Sequence, residues 1–457
     1  MLLEARWVVP IGGPPIEDGA LVVTGGTIAA VGPSAELRGR YPGEPVETYA
    51  DCALLPGLVN VHTHLDYSAF RHFAHPRGFG TWMLQLLLAS RKLGMDDFAA
   101  SALWGAHECV RNGVTSIADA SEKGRTVALA ARATGLRARV YLEVFGLDDA
   151  ALPKTIERLD ARLAQLRGEF ETATTAVPGG PSSAREGPRL EWGVSPHAPY
   201  TVPPRLYREA ARFARRAGLR MATHVAESQA EVELLTKGSS AIAKAYKAAH
   251  LWKRQHWAPP GISPVQCVAE SGALGPDMLA VHVVHVDEKD IATLAATGTA
   301  VAHCPRSNLR LKCGIAPVAD MIAAGITIGL GTDSLASNDN LDPFDEMRAA
   351  LEVSRSRGAA LTPAAVLRMA TLEGARALGW DHLVGSLEVG KRADVVAVRM
   401  RGLETRDPVD ALVAGASASD VRMTMIDGTP VFGGGNLPVE VADGFRSVRT
   451  RLGLMSD

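Results

Sequence analysis

An α/β fold, a (β/α)8 TIM barrel joined to a small β-domain made from both chain ends, is what this 457-residue sequence predicts. Three observations predict it. Eight short apolar runs alternate with Ala-, Leu- and Arg-rich helical stretches. Such alternation argues for parallel βα units, and eight of them close a barrel. The chain can bury a large core, with 47% hydrophobic and 21% charged residues. Both ends, unlike the middle, are rich in strand-like runs.

Residues 1–56 are β-like runs broken by turns. In LVVTGGTIAAVGP two β-branched runs flank Gly25-Gly26, a hairpin signal. The barrel strands are then read in LVNVHTHL, VTSIADA, RARVYLEVF, LEWGVSPH, RMATHVAE, LAVHVVHV, TAVAHCP and ITIGLGTD, which places the barrel at 57–385. Two inserts interrupt it. The Pro/Gly/Ser-rich run at 172–188 is a surface loop. Residues 238–265, between the fifth and sixth strands, lie over the mouth, either as a lid or as an ordinary helical elaboration. ADVVAVRM and VRMTMIDGTPVF, the latter turning at Asp427-Gly428, supply the second part of the β-domain at 386–440. A helical tail is expected at 441–457.

Lys+Arg number 48 and Asp+Glu 50, a net charge of −2. That excludes a general polyanion binder, so no nucleic-acid partner is expected. No apolar run approaches the ~18–20 residues of a membrane helix, so no membrane partner is expected either. MLLEARWVVP is broken by Glu4 and Arg6 and lacks a secretory apolar core. Five cysteines form no CxxC pair, which reads as reduced thiols in a cytoplasmic protein. The expected partner is a small-molecule substrate.

The chemistry lies in histidines at strand ends. His62 and His64 are two apart, so on a strand both point to one face. At the end of a first barrel strand that face is the mouth, and two inward imidazoles are a metal half-site. His224 ends RMATH, and Glu227 follows in the loop above, where a carboxylate can take a proton from water and pass it to a leaving group. The bland alternative is a core histidine and a surface glutamate. Asp333, after the slim Gly-Leu-Gly run, is a metal ligand, a second base, or a helix cap. In LAVHVVHVD, His282 shares a face with Ala280, and His285 lies on the other. If the small Ala280 faces the interior and the strand stays regular, His282 is the active-site residue. His197, in SPHAPYT, can reach the substrate. His303, His72, His75, His107, His250, His256 and His382 are read as structural. A two-metal site of this design needs a bridging ligand, often a modified lysine on strand four. RLEWGVSPHAPY has no lysine, so one metal is expected.

LLPGLVNVHTHLDYSAFR, SPHAPYT, THVAES, HVVHVDEKDI, HCPRSNLRLKCGIAPV and GTDSLASNDNLDPFDEMRAA, in that order, resemble the amidohydrolase superfamily. Within it they resemble the mononuclear-metal deaminase and chlorohydrolase branch, above all the S-adenosylhomocysteine/methylthioadenosine deaminases and the aminodeoxyfutalosine deaminases. The resemblance runs from about residue 20 to 432. It implies a β-sandwich-like domain from the chain ends. It implies His62, His64, His224 and Asp333 as ligands of one divalent metal, zinc ahead of iron (Zn before Fe). It makes Glu227 the proton shuttle, gives Asp333 a share in catalysis, sets His282 beside the attacked carbon and sets His197 against the substrate. The activity implied is hydrolytic deamination of an adenine-type nucleoside with release of ammonia. The alternatives are hydrolysis of another leaving group on an N-heterocycle and a non-catalytic barrel scaffold. Relatives often pair, so a homodimer is expected.

One departure stands out. Where the adenosylhomocysteine deaminases usually carry a Glu-Trp pair whose glutamate holds the ribose hydroxyls, this chain has Thr81 before Trp82. That tilts the reading toward aminodeoxyfutalosine. Trp82 is expected against the substrate ring, and Arg71 is expected to anchor a substrate carboxylate.

Overall fold

The computed structural model describes residues 1–73, 78–146, 148–171, 189–248, 259–401 and 407–454. The predicted loop at 172–188, the middle of the 238–265 insert, and His75, His250 and His256 lie outside them. Four strands come from the first 56 residues: β1 (Leu2–Val8), β2 (Ile16–Thr24), β3 (Thr27–Pro33) and β4 (Val46–Pro56). Eight follow: β5 (Leu58–Thr63), β6 (Val114–Ser121), β7 (Arg137–Val144), β8 (Leu190–Pro196), β9 (Arg220–Val225), β10 (Met278–His282), β11 (Ala300–His303) and β12 (Ile328–Leu330). β13 (Val395–Arg399), β14 (Val421–Ile426) and β15 (Thr429–Phe432) complete the set.

The chain ends form one seven-stranded sheet in the order β15-β14-β13-β4-β1-β2-β3. β13 joins the two ends by pairing antiparallel with β4, Val396 opposite Leu55. Both predicted hairpins form with two-residue turns, Thr24 opposite Thr27 and Ile426 opposite Thr429. Gly25, Gly26, Asp427 and Gly428 all take positive φ (56°, 78°, 48° and 75°), the geometry such turns require and that glycine adopts freely.

β5 to β12 lie in sequence order, every neighbour parallel. A bridge between Thr63 and Asp333 brings the end of the circuit back to β5. Burial on both faces explains the unbroken apolar character of these runs. Val61, Ala118, Tyr141, Ala222, Val281 and Ala302 fill the interior. Near the strand starts, Trp380 plugs the barrel, its indole N–H donating to Glu191 Oε1 at 2.9 Å. The strand ends at the opposite face are left to build the site. The barrel is tied to the chain-end sheet by a buried ion cluster. Arg137, at the start of β7, lies 2.8 Å from Asp427 Oδ1 and 3.5 Å from Asp394 Oδ1. The helix Val439–Leu452 closes the chain, Phe445 stacking on Trp104 at 3.9 Å. No helix among the described residues is long and apolar enough to cross a membrane.

Candidate active site

The site is built from strand ends whose backbone departs from regular geometry. Between Asn60 and Thr63, β5 carries one more residue than β6 (Asn60 pairs with Ile117, Thr63 with Asp119). Such a bulge re-aims side chains. Val61 packs inside the barrel, and His62, its neighbour, still reaches the mouth with His64. Asp333, three residues beyond β12, has φ 57°, and its N–H donates to the His62 carbonyl at 3.0 Å. Ala226, His282 and Val283 also have positive φ (54°, 74° and 49°). Non-glycine residues adopt this region only where their surroundings hold them there, and such strain gathers at functional sites.

His62, His64, His224 and Asp333 converge. His64 Nε2 lies 3.2 Å from His224 Nε2, and Asp333 Oδ1 is 3.6 Å from Nε2 of both His62 and His64. The far sides of two rings are committed. His64 Nδ1 donates to Ala120 O at 2.6 Å, and His224 Nδ1 to His197 O at 3.0 Å. A carbonyl only accepts, so both protons sit on Nδ1 and two bare Nε2 lone pairs face each other. His62 Nε2 is buried, with Asp333 Oδ1 at 3.6 Å and no partner within ordinary hydrogen-bond distance. Ser307 and Ser337 donate to Asp333 Oδ2 at 2.6 and 2.8 Å, leaving Oδ1 for the histidines. Burial drives His62 down to about 4 and His224 well below its usual value, so both imidazoles are neutral at pH 7 and free to offer a lone pair. Burial raises the Asp333 carboxyl, but the hydrogen bond to His62 and the charges of the histidines outweigh it and hold it well below the usual range. Facing lone pairs repel, and a cation between them removes the repulsion. His62, His64 and Asp333 bring their donor atoms within 4.8 Å of one another, as do His62, His224 and His282, and such imidazole and carboxylate donors, two of the rings backed by carbonyls, fit a divalent metal.

Glu227 stands beside this cluster, 4% exposed. Its Oε1 lies 3.6 Å from His282 Nε2 and 4.0 Å from Cys313 Sγ. Burial, with repulsion from Asp333, pushes its carboxyl well above the usual range, which favours its protonated form. The loop that carries it is pinned by Glu231, which accepts from the N–H groups of Ala226 and Glu227 at 3.1 and 2.9 Å. His282 donates from Nδ1 to Asn308 Oδ1 at 2.9 Å, which leaves its Nε2 as an acceptor in the site. The strand argument for His282 fails in its premise. Leu279 and Val281 pack inside the barrel and Ala280 packs toward the helices. His282 reaches the mouth because β10 ends on it with φ 74°. His285 points elsewhere, bonded to Cys313 O at 2.5 Å.

A cavity of about 440 Å³ opens over these groups, within the range of small-molecule sites. His197 lines it, fixed by Thr201 Oγ1 at 2.8 Å, as does Trp82, whose indole N–H donates to Ala336 O at 2.9 Å. Arg71 and Thr81 are not among the described residues that line it. Arg71 is turned away into an ion pair with Glu108, and Thr81 lies on the exposed face of the helix Phe79–Ser90. Sequence reasoning missed Glu143, Asn308 and Tyr246. For Glu143 the signal was present: it shares strand parity with Tyr141, which fills the barrel interior. Burial pushes its carboxyl up to about 7.

The model of the amidohydrolase family matches residues 53–431. The 5-methylthioadenosine/S-adenosylhomocysteine deaminase of Moorella thermoacetica is 33% identical over 94% of this chain and 93% of its own length. The 5'-deoxyadenosine deaminase of Methanothermobacter thermautotrophicus is 32% identical over 94% of each chain. Among solved structures, an adenosine deaminase from Xanthomonas campestris with bound zinc superposes with a TM-score of 0.83 at 28% identity, covering 99% of this chain and 98% of that one.

Proposed function

This chain belongs to the amidohydrolase family, and from that premise we propose a metal-dependent hydrolase that removes the aromatic amino group of an adenine-type nucleoside and releases ammonia. The names of its relatives favour 5-methylthioadenosine, S-adenosylhomocysteine and 5'-deoxyadenosine as substrates. Aminodeoxyfutalosine stays on the list of candidates, although Thr81, whose place in the sequence suggested it, is not among the residues lining the cavity.

His62, His64, His224 and Asp333 hold one divalent cation, zinc by the chemistry of the donor set. Such a cation supplies acidity, lowering the pKa of water to about 7. Glu227 takes one proton of the attacking water at Oε1 and delivers it to the ring nitrogen, and it then relays the second, from the hydroxyl added to the ring carbon, to the amino group, which leaves as ammonia when the C–N bond breaks. His282, its Nδ1 proton committed to Asn308, orients the attacking water through Nε2. Phe79, Trp82, Tyr200 and Tyr246 give the ring apolar faces and exclude bulk water. All these groups lie within 57–385, and the chain-end sheet serves as their support. The observation that carries the reading is a buried carboxylate with a raised pKa beside a donor set made for a metal.

The test is ammonia release from a panel of 5-methylthioadenosine, S-adenosylhomocysteine, 5'-deoxyadenosine, adenosine and aminodeoxyfutalosine, with a chlorotriazine as control. At least one adenine nucleoside should be deaminated. Chloride release from the triazine, with no ammonia from any nucleoside, would contradict the proposal.

A further inference from the structure

Glu143 is a buried carboxylate that the mechanism above does not use. It is the penultimate residue of β7, 9% exposed, and it lines the cavity. Its Oε1 has no hydrogen-bond partner. One of its oxygens lies within 4.8 Å of ring nitrogens of both His197 and His224. The other cavity carboxylate outside the reacting cluster, Glu122, is more exposed and already takes the Lys123 ammonium at 3.0 Å. No Arg or Lys lines the cavity among the described residues. An unpartnered carboxyl oxygen calls for a donor, so a ligand that fills this cavity satisfies it by bringing one. Adenine's own donor is the amino group that leaves at the reacting cluster, so the donors a nucleoside has left for Glu143 are the hydroxyls of its sugar.

We propose that Glu143 is a specificity-determining residue that accepts hydrogen bonds from the sugar hydroxyls of the substrate. The inference rests on the nucleoside reading of the site. It assigns recognition of the sugar to the third barrel strand, where neither Thr81 nor Arg71 takes part. A carboxylate oxygen that lacks a partner of its own makes a stronger hydrogen bond to a hydroxyl than an amide oxygen does, so the carboxyl group, and not only its shape, carries the preference.

The experiment compares the wild-type enzyme, Glu143→Gln and Glu143→Ala on the best adenine ribonucleoside of the panel and on its 2',3'-dideoxy counterpart. It reads ammonia release, and it reads the Kd of the deaminated products by calorimetry. Metal content is measured on every sample. The wild type should prefer the ribonucleoside by about a hundredfold or more in kcat/KM, as sites built around a substrate hydroxyl do. Glu143→Gln should lose about tenfold to a hundredfold on the ribonucleoside, mostly through KM, and clearly less on the dideoxy compound, with bound metal unchanged. The product Kd values should follow the same pattern. Equal losses on both compounds would overturn the proposal and leave deamination standing. A wild type that releases no ammonia from any nucleoside would overturn deamination and this inference together.

Discussion

At the residue scale the account turns on protons that have been given fixed places. His64 and His224 commit Nδ1 to carbonyls, His282 commits Nδ1 to Asn308, and each presents Nε2 to the site. Glu227 has only His282 Nε2 at 3.6 Å and a thiol at 4.0 Å beside its Oε1, neither a close hydrogen bond, which suits a group that must accept and release a proton in each turnover. Glu227→Gln keeps size and polarity but cannot carry the proton. It should retain a full complement of metal and lose about 10²- to 10⁴-fold in kcat. Metal analysis beside steady-state rates checks this, and near-normal turnover would remove the shuttle. Much of this cluster was legible. The two-residue spacing of His62 and His64 keeps them together even across the bulge, since both lie at its end. His282 was reached by a parity that the broken strand does not obey. Arg71 and Thr81 were not placeable, because sequence alone gives neither the partner waiting at Glu108 nor the phase of the helix Phe79–Ser90.

At the scale of elements, loops beyond the strands do as much positioning as the strands. The helix Pro343–Ser356 sends Glu346 under the site. It accepts from Asn338 Nδ2 at 2.7 Å and from the Arg306 N–H at 3.3 Å, tying the segments after β11 and β12 together. Burial pushes its carboxyl up to about 8 from an ordinary 4.5. The sign follows from linkage. Between those values the folded chain keeps a proton that the unfolded chain releases, so this stability is full below 4.5 and is lost as the pH rises toward 8. Glu346→Gln should flatten the fall in unfolding free energy between pH 5 and 8, read by denaturant titration. An unchanged slope would place the protonated group elsewhere. The insert between β9 and β10 was legible only as a choice between lid and elaboration. In the structure the helix Ala241–Ala248 packs on Phe79–Ser90 so closely that a Cβ on Gly80 would lie 2.8 Å from Ala241 O, and Tyr246 reaches the cavity. That contact depends on tertiary packing, which no local pattern announces.

At the scale of the whole molecule, alternation of apolar runs with helical stretches was enough to read eight parallel strands and a chain-end sheet. Buried parallel strands leave a strong compositional trace, and GG and DG turns leave a sharp local one. What left no trace is how the two sheets are joined. Arg137, Arg189, Asp394 and Asp427 come from distant parts of the chain, and only the fold brings them within 3.5 Å of their partners. The barrel brings donor atoms from β5, β9 and the loop after β12 to one point, and the whole account depends on a cation being held there. The direct test is anomalous diffraction at the zinc edge from crystals of the zinc-loaded protein. The account predicts a single strong peak about 2.0–2.2 Å from Nε2 of His62, His64 and His224 and from an Asp333 carboxylate oxygen. No peak among those four side chains under metal-replete conditions would contradict it.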